Sequence, residues 1–261
     1  GRDGGAVYNW AATITLDVTD NATSTFSGNT ARGRANSFHL SGTGAKDSEF
    51  LAYVGNDAVL DMKDPISGVA GSDFFTSRNV IMQKVGNGLW KLGGLTAILN
   101  EDPTNSVGAY FHLNAGALHL YGAGETTNGD SQVEDGAVSL EGTISEIYIG
   151  ANTTLTMGGQ NGLYITDSAS SPASGQAQGR IDFAGDTRMG FDLSRQSAGQ
   201  TSLELKAADI HLGGTIDIDI LAMGGTGRYV LLHKNSDATG DDFNNSNIDT
   251  LNLTYRGHSL T

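Results

Sequence analysis

Two aspartates on one alternating segment are the residues of this chain best spaced for chemistry. In Ile216-Asp217-Ile218-Asp219-Ile220, side chains two apart share one face of a strand, which sets the two carboxylates about 6.6 Å apart. That lies near the lower end of the roughly 6.5–9.5 Å over which an inverting glycosidase holds its acid and its base, with room for a water between them. Asp182, Asp186 and Asp192 offer a second carboxylate group upstream. An outward Asp alternating with an inward Ile is equally the pattern of a solvated strand face, so the spacing by itself assigns no catalytic residue.

Other chemistries find less support. The chain has no Gly-x-Ser-x-Gly elbow and no Gly-Asp-Ser-Gly nucleophile segment, and its histidines (His39, His112, His119, His211, His233 and His258) sit mostly inside alternating stretches. Asp237, Asp241 and Asp242 carry oxygen donors suited to calcium, but the ordered loop and closing Glu of an EF-hand are missing. His119 and His211 each stand between apolar residues and are expected to face outward, where a stack of ligands is conceivable. Tyr110, Tyr121, Tyr148 and Tyr164 fall where exposed rings could line one face and stack on sugars or bind protein. Tyr148 and Tyr164, each between two apolar residues, are predicted outward. No catalytic, cofactor-binding or metal-binding residue is assigned, and no cofactor is called for.

The elements that must position these residues are strands. Ile14-Thr15-Leu16-Asp17-Val18, Phe111-His112-Leu113, Ile147-Tyr148-Ile149, Leu203-Glu204-Leu205 and Leu251-Asn252-Leu253 all alternate with a period of two, the signature of half-buried strands. Helical periodicity is nearly absent; residues 76–85 alone could form a short helix. Glycine-led strands recur: Gly116-Ala117-Leu118-His119-Leu120 returns as Gly136-Ala137-Val138-Ser139-Leu140, more loosely as Asn152 to Met157, and again at Gly214-Thr215-Ile216-Asp217-Ile218. Spacings of 20 and 16 residues between the first three predict a solenoid of short coils. Asn87-Gly88, Asp135-Gly136 and similar pairs also allow local hairpins, and a sandwich or barrel is the competing architecture. The expected fold is an all-β parallel β-helix with uneven coils, a single domain over 1–261. Irregular coils fill 1–83, central repeat coils 84–199, and the last coils and a cap 200–261. Residues 122–135, 166–179 and 234–247 read as loops leaving the coil.

Composition bounds the function. Glycine accounts for 37 of the 261 residues, with three prolines and no cysteine. Disulfides, thiolate metal sites and cysteine nucleophiles are therefore absent from the chain. A formal net charge of −14 repels phosphate backbones and anionic lipid, which argues against general nucleic-acid binding and adsorption to anionic membranes. No apolar run reaches the ~20 residues of a membrane helix.

Lys84-Val85-Gly86-Asn87-Gly88-Leu89-Trp90-Lys91-Leu92-Gly93-Gly94, with Ala115 to Leu120 downstream, resembles the strand repeat of Gram-negative autotransporter passenger domains, with Trp90 where a leucine-type residue is expected. Leu203 to Ile220 resembles the last passenger coils, and Gly227-Arg228-Tyr229-Val230-Leu231-Leu232 the strand after them. Gly4-Gly5-Ala6-Val7 and Phe26-Ser27-Gly28-Asn29 are similar to the tetrapeptides of polymorphic outer-membrane proteins.

The resemblance implies a right-handed parallel β-helix exported through the outer membrane and displayed on the cell surface or released. Nothing after Ile220 resembles the spanning strands of the family's barrel, so the chain reads as a passenger segment without its anchor. It also implies that residues 200–261 seed folding. The expected function is that of a non-enzymatic adhesin or interaction scaffold toward host glycan, matrix protein or itself, without membrane insertion. A glycan-degrading β-helix enzyme is the alternative.

Overall fold

Strands of this chain pair with the strand one coil further along rather than with their neighbours in sequence. The computed structural model describes residues 7–31, 34–42, 46–73, 76–101, 106–121, 136–142, 144–166, 179–234 and 247–260. Among these there is no helix. Each coil lays one strand on each of three faces. The first face stacks Val7–Trp10, Phe38–Ser41, Ile66–Asp73, Leu95–Asn100, Ala137–Glu141, Asn161–Thr166, Thr201–Lys206 and Val230–Lys234 in that order. The second stacks Thr13–Val18, Ser48–Val54, Val80–Val85, Ala109–Leu113, Glu146–Ile149 and Arg180–Phe183. The third stacks Thr23–Phe26, Val59–Met62, Leu89–Leu92, Ala117–Leu120, Thr154–Gly158 and Thr187–Leu193.

The long strand Asp209–Met223 turns the corner without a break. Its first residues pair with Arg180–Phe183 and its later ones with Thr187–Leu193, which fuses the second and third faces into one sheet. Asn247–Tyr255 then lies on its later part. Pairing between coils is parallel, so the chain is the parallel β-helix that its alternation predicts. The stretch 76–85 is strand, Thr76–Arg78 followed by Val80–Val85. The loop expected at 122–135 lies outside the described residues, and so do those at 166–179 and 234–247 but for their end residues.

Period-two alternation translates directly into inside and outside. Val80, Met82 and Lys84 point inward while Ile81, Gln83 and Val85 stay partly exposed. Inward apolar residues stack in columns down the axis, so each side chain is covered by the equivalent one above and below. An aromatic spine runs through the first four coils: Phe26, Phe38, Phe50, Trp90 and Phe111, with successive ring centroids 5.3, 5.0, 5.7 and 5.7 Å apart. Trp90 is fully buried in it, on the inner side where its leucine-type expectation places it.

The repeat length differs from the sequence reading. The step from Ala117 is 37 residues, for it pairs with Thr154 on the third face. The glycine-led copy at Ala137 sits on the first face, one corner further along the path. Strands on different faces read alike because each must bury alternate residues, so the spacings of 20 and 16 measure the sides of a coil rather than the coil. On the first face the register advances by 31 residues from Val7 to Phe38, 28 to Ile66, 42 from Leu95 to Ala137, and 25 to Gly162.

What recurs faithfully is the corner between the second and third faces. Thr23, Val59, Leu89, Ala117, Thr154 and Arg188 form one row across the third face. Two residues before that row, Asn21, Asp57, Asn152 and Asp186 have φ of 59°, 53°, 58° and 62°. Asn and Asp are the side chains that tolerate the left-handed region, because their short polar groups bond locally. Gly116 and Gly214, at φ 72° and 63°, turn the same corner in other coils, which is what their recurrence in the sequence records.

Candidate functional site

The coil stacking brings together residues that the sequence keeps far apart, along the corner between the first and second faces. An open groove of about 850 Å³ follows this corner across the first four coils, lined by Ala11, Ala12 and Thr13, by Lys46, Asp47 and Glu49, by Arg78 and Asn79, and by Ser106 and Val107. Its floor is stiffened by a ladder of side chain to backbone bonds. Asn9 Nδ2 donates to Ala12 O at 2.7 Å and to Glu49 O at 3.1 Å. Asn79 N donates to Asp47 Oδ1 at 2.9 Å, and Gly108 N donates to Asn79 Oδ1 at 2.9 Å. Thr13 Oγ1 donates to Glu49 Oε2 at 2.8 Å and orients that carboxylate. Trp10, next in the chain to the groove wall, is 62% exposed.

Beside the groove, the outward side of the second face carries an aromatic and charged patch. Tyr110 meets His112 edge-on at 5.9 Å, and His112 meets Tyr148 of the next coil in the same way. His112 Nε2 lies 3.2 Å from Glu146 Oε2, a contact that becomes an ion pair when the imidazole is protonated. Burial, then the nearby Glu146 and Asp47 carboxylates, push the Tyr110 hydroxyl above the usual phenol range, so the ring stays neutral with its O–H available to donate. Further along, Asp182 accepts 2.7 Å bonds from Arg180 and from His211. The patch combines ring faces with hydrogen-bonding groups of both signs, the mixture that suits a polyhydroxylated ligand.

The residues singled out from the sequence scatter. Asp217 and Asp219 do share the outward side of their strand, between buried Ile216, Ile218 and Ile220. Both are engaged: Asp217 accepts from Asn252 Nδ2 at 2.8 Å, and Asp219 accepts from Thr254 Oγ1 at 2.7 Å and Gly257 N at 3.0 Å. Those bonds, the backbone one foremost, hold the Asp219 carboxyl below its ordinary range. They tie the last strand and its turn to the coil beneath. Asp182, Asp186 and Asp192 do not converge: Asp182 lies on the second face, Asp186 in the following corner, and Asp192 on the third face bonded to Ser194 N.

His119 is outward and bonded to Thr156 Oγ1 at 2.8 Å, away from His211. Tyr148 and Tyr164 are partly exposed as predicted, but the four tyrosines share no single face. Tyr121 is buried at a corner, its hydroxyl donating to Asp61 Oδ1 at 2.7 Å. Asp237, Asp241 and Asp242 lie outside the described residues. No cluster suited to a metal ion occurs among the described residues.

Sequence reasoning missed the groove: Trp10, Lys46, Asp47, Glu49 and Arg78 have no common motif, and only the register of the coils makes them neighbours. Comparison with protein-family models, with curated proteins and with solved structures finds no match to this chain.

Proposed function

We propose that this chain is a non-enzymatic binding module, displayed at a bacterial surface or released from it, that holds an extended glycan along the corner between its first and second faces. The observation that carries the reading is the groove itself. It runs parallel to the rod axis through four coils and presents carboxylates, cations and amides at once. Trp10 at its edge and the Tyr110–His112–Tyr148 ladder beside it supply ring faces for sugar C–H groups. The resemblance to autotransporter passengers supports the surface location.

The chain carries its own reporter. Of its two tryptophans, Trp90 is fully buried and Trp10 is exposed, so a ligand-induced change in indole emission reports on Trp10. Titration with neutral and acidic oligosaccharides should give a saturable change, and Trp10→Ala or Tyr110→Ala should weaken binding, measured by calorimetry, by about tenfold each, as expected for a stacking contact of 1–1.5 kcal/mol. Absence of saturable binding, or affinities unchanged in both variants, overturns the reading. Release of new reducing ends from the bound oligosaccharide would favour the degradative alternative instead.

A further inference from the structure

Among the described residues Lys84 is the only cation in the interior of the rod, and it is fully buried. It alternates inward with Val80 and Met82. The residues level with it on the neighbouring coils are Ala52 and Leu113. Its Nζ donates to the carbonyl of Gly86 in its own coil and, at 2.7 Å, to the carbonyl of Ala115 in the next. Gly116, beside that second carbonyl, has no Cβ; one built there would collide with Nζ.

The titratable groups of the packed strands point away. Glu49 and His112 on the flanking second-face strands, and Asp61, Lys91 and His119 on the third face, occupy the alternate, outward positions. Tyr53 is exposed and Asp57 faces solvent at the corner. An ammonium has three N–H donors, and the site offers two carbonyls, which is the complement of a neutral amine. A charge placed there has lost its water without gaining a counter-charge.

We propose that Lys84 is a proton-gated staple between the third and fourth coils: the neutral amine closes the corner with two hydrogen bonds, and the protonated form favours opening of that corner so that the ammonium can hydrate. Burial lowers the Lys84 pKa from 10.5 to about 8. A folded-state pKa below the open-state value means that the open corner binds the proton more tightly. Opening therefore becomes easier as pH falls from 10.5 to 8, by up to a few hundredfold, and levels off below 8. At neutral pH this corner therefore opens more readily than it does in alkali.

Two measurements test the staple. The Lys84 ¹³Cε resonance should titrate near pH 8; a midpoint at the ordinary lysine value overturns the proposal without any substitution. In Lys84→Met, hydrogen exchange at pH 7 should slow by tenfold or more at Asn114 and Ala117, whose amides donate to Lys84 O and Gly88 O and so bridge these coils. Arg188, at the equivalent corner two coils on, should be unchanged. Equal or faster exchange at these two amides in the variant overturns it.

Discussion

Trp90 poses a sharp energetic test, because two effects of similar size oppose each other at one side chain. The indole lies between Phe50 and Phe111 with centroids 5.7 Å from each, is fully buried, and its Nε1–H meets no acceptor among the described residues. Replacing it by Phe keeps an aromatic rung but removes about 40 Å³, which at ~24 cal/mol per Å³ leaves a cavity costing about 1 kcal/mol. Lost transfer of the removed carbons costs about another 1 kcal/mol. Against this, the substitution removes a buried donor that stands unpaired at a cost of about 1–3 kcal/mol. Trp90→Phe should then lie within about 1 kcal/mol of the native chain, whereas Trp90→Ala, which cuts the spine, should cost about 3–5 kcal/mol. Urea unfolding followed by far-ultraviolet circular dichroism, with midpoints compared at equal slope, measures both. A Trp90→Phe loss above about 3 kcal/mol, close to that of Trp90→Ala, would refute the reasoning and show that the indole nitrogen is satisfied or that ring packing outweighs it.

Two further outcomes follow from the corners and the last strand. Asn152, at φ 58°, should tolerate Asn152→Gly with little change, while Asn152→Ala should lower stability by about 1 kcal/mol in the same urea assay; equal effects would discard the left-handed corner as the reason for Asn. The Asp219 carboxyl is held below its ordinary range by Gly257 N and Thr254, so its contribution is present above the unfolded carboxylate pKa and lost as pH falls through the lower folded value. Protease cleavage near residues 254–258 should accelerate on acidification, and Asp219→Asn should flatten that dependence; an unchanged acid profile in the variant would remove Asp219 as the tie.

Much of the architecture was legible because a strand's two sides are written locally. Ile216, Ile218 and Ile220 point inward, and Tyr148 and Tyr164 point outward, as alternation alone requires. Where burial depends on a neighbour outside the segment, the local pattern falls short. Leu251 and Leu253 stand in register with Ile216 and Ile218, yet remain 58% and 44% exposed, because the strand beyond theirs among the described residues, His258–Ser259, is two residues long and pairs with Thr254 and Tyr255. Tyr121 directly follows a strand and keeps the outward phase beside Asp61, Lys91 and His119, yet is buried there by neighbours from other coils that no local pattern announces.

The candidate site was the least legible part. Its charged residues come from two coils, Lys46, Asp47 and Glu49 from one and Arg78 from the next, and a coil length read as 20 or 16 instead of 25 to 42 residues aligns none of them. Lys84 was visible as the first residue of the strand repeat. Its inward direction, set by alternation with Val80 and Met82, makes the difference between a solvated lysine and a buried one.

The uneven coils have a consequence for what the rod can measure. A coil that advances 25 residues and one that advances 42 both add one inter-strand spacing, about 4.8 Å, along the axis. Chain length is thus decoupled from rod length, and the outward columns are graduated like a ruler whatever the corners carry. Tyr8, His39, Ser67, Ala97, Ser139, Tyr164 and Lys206 occupy consecutive rungs of one such column. A polymer whose own repeat is commensurate with that spacing would meet the rod in step, rung after rung, and a mismatched one would drift out of phase within a few coils.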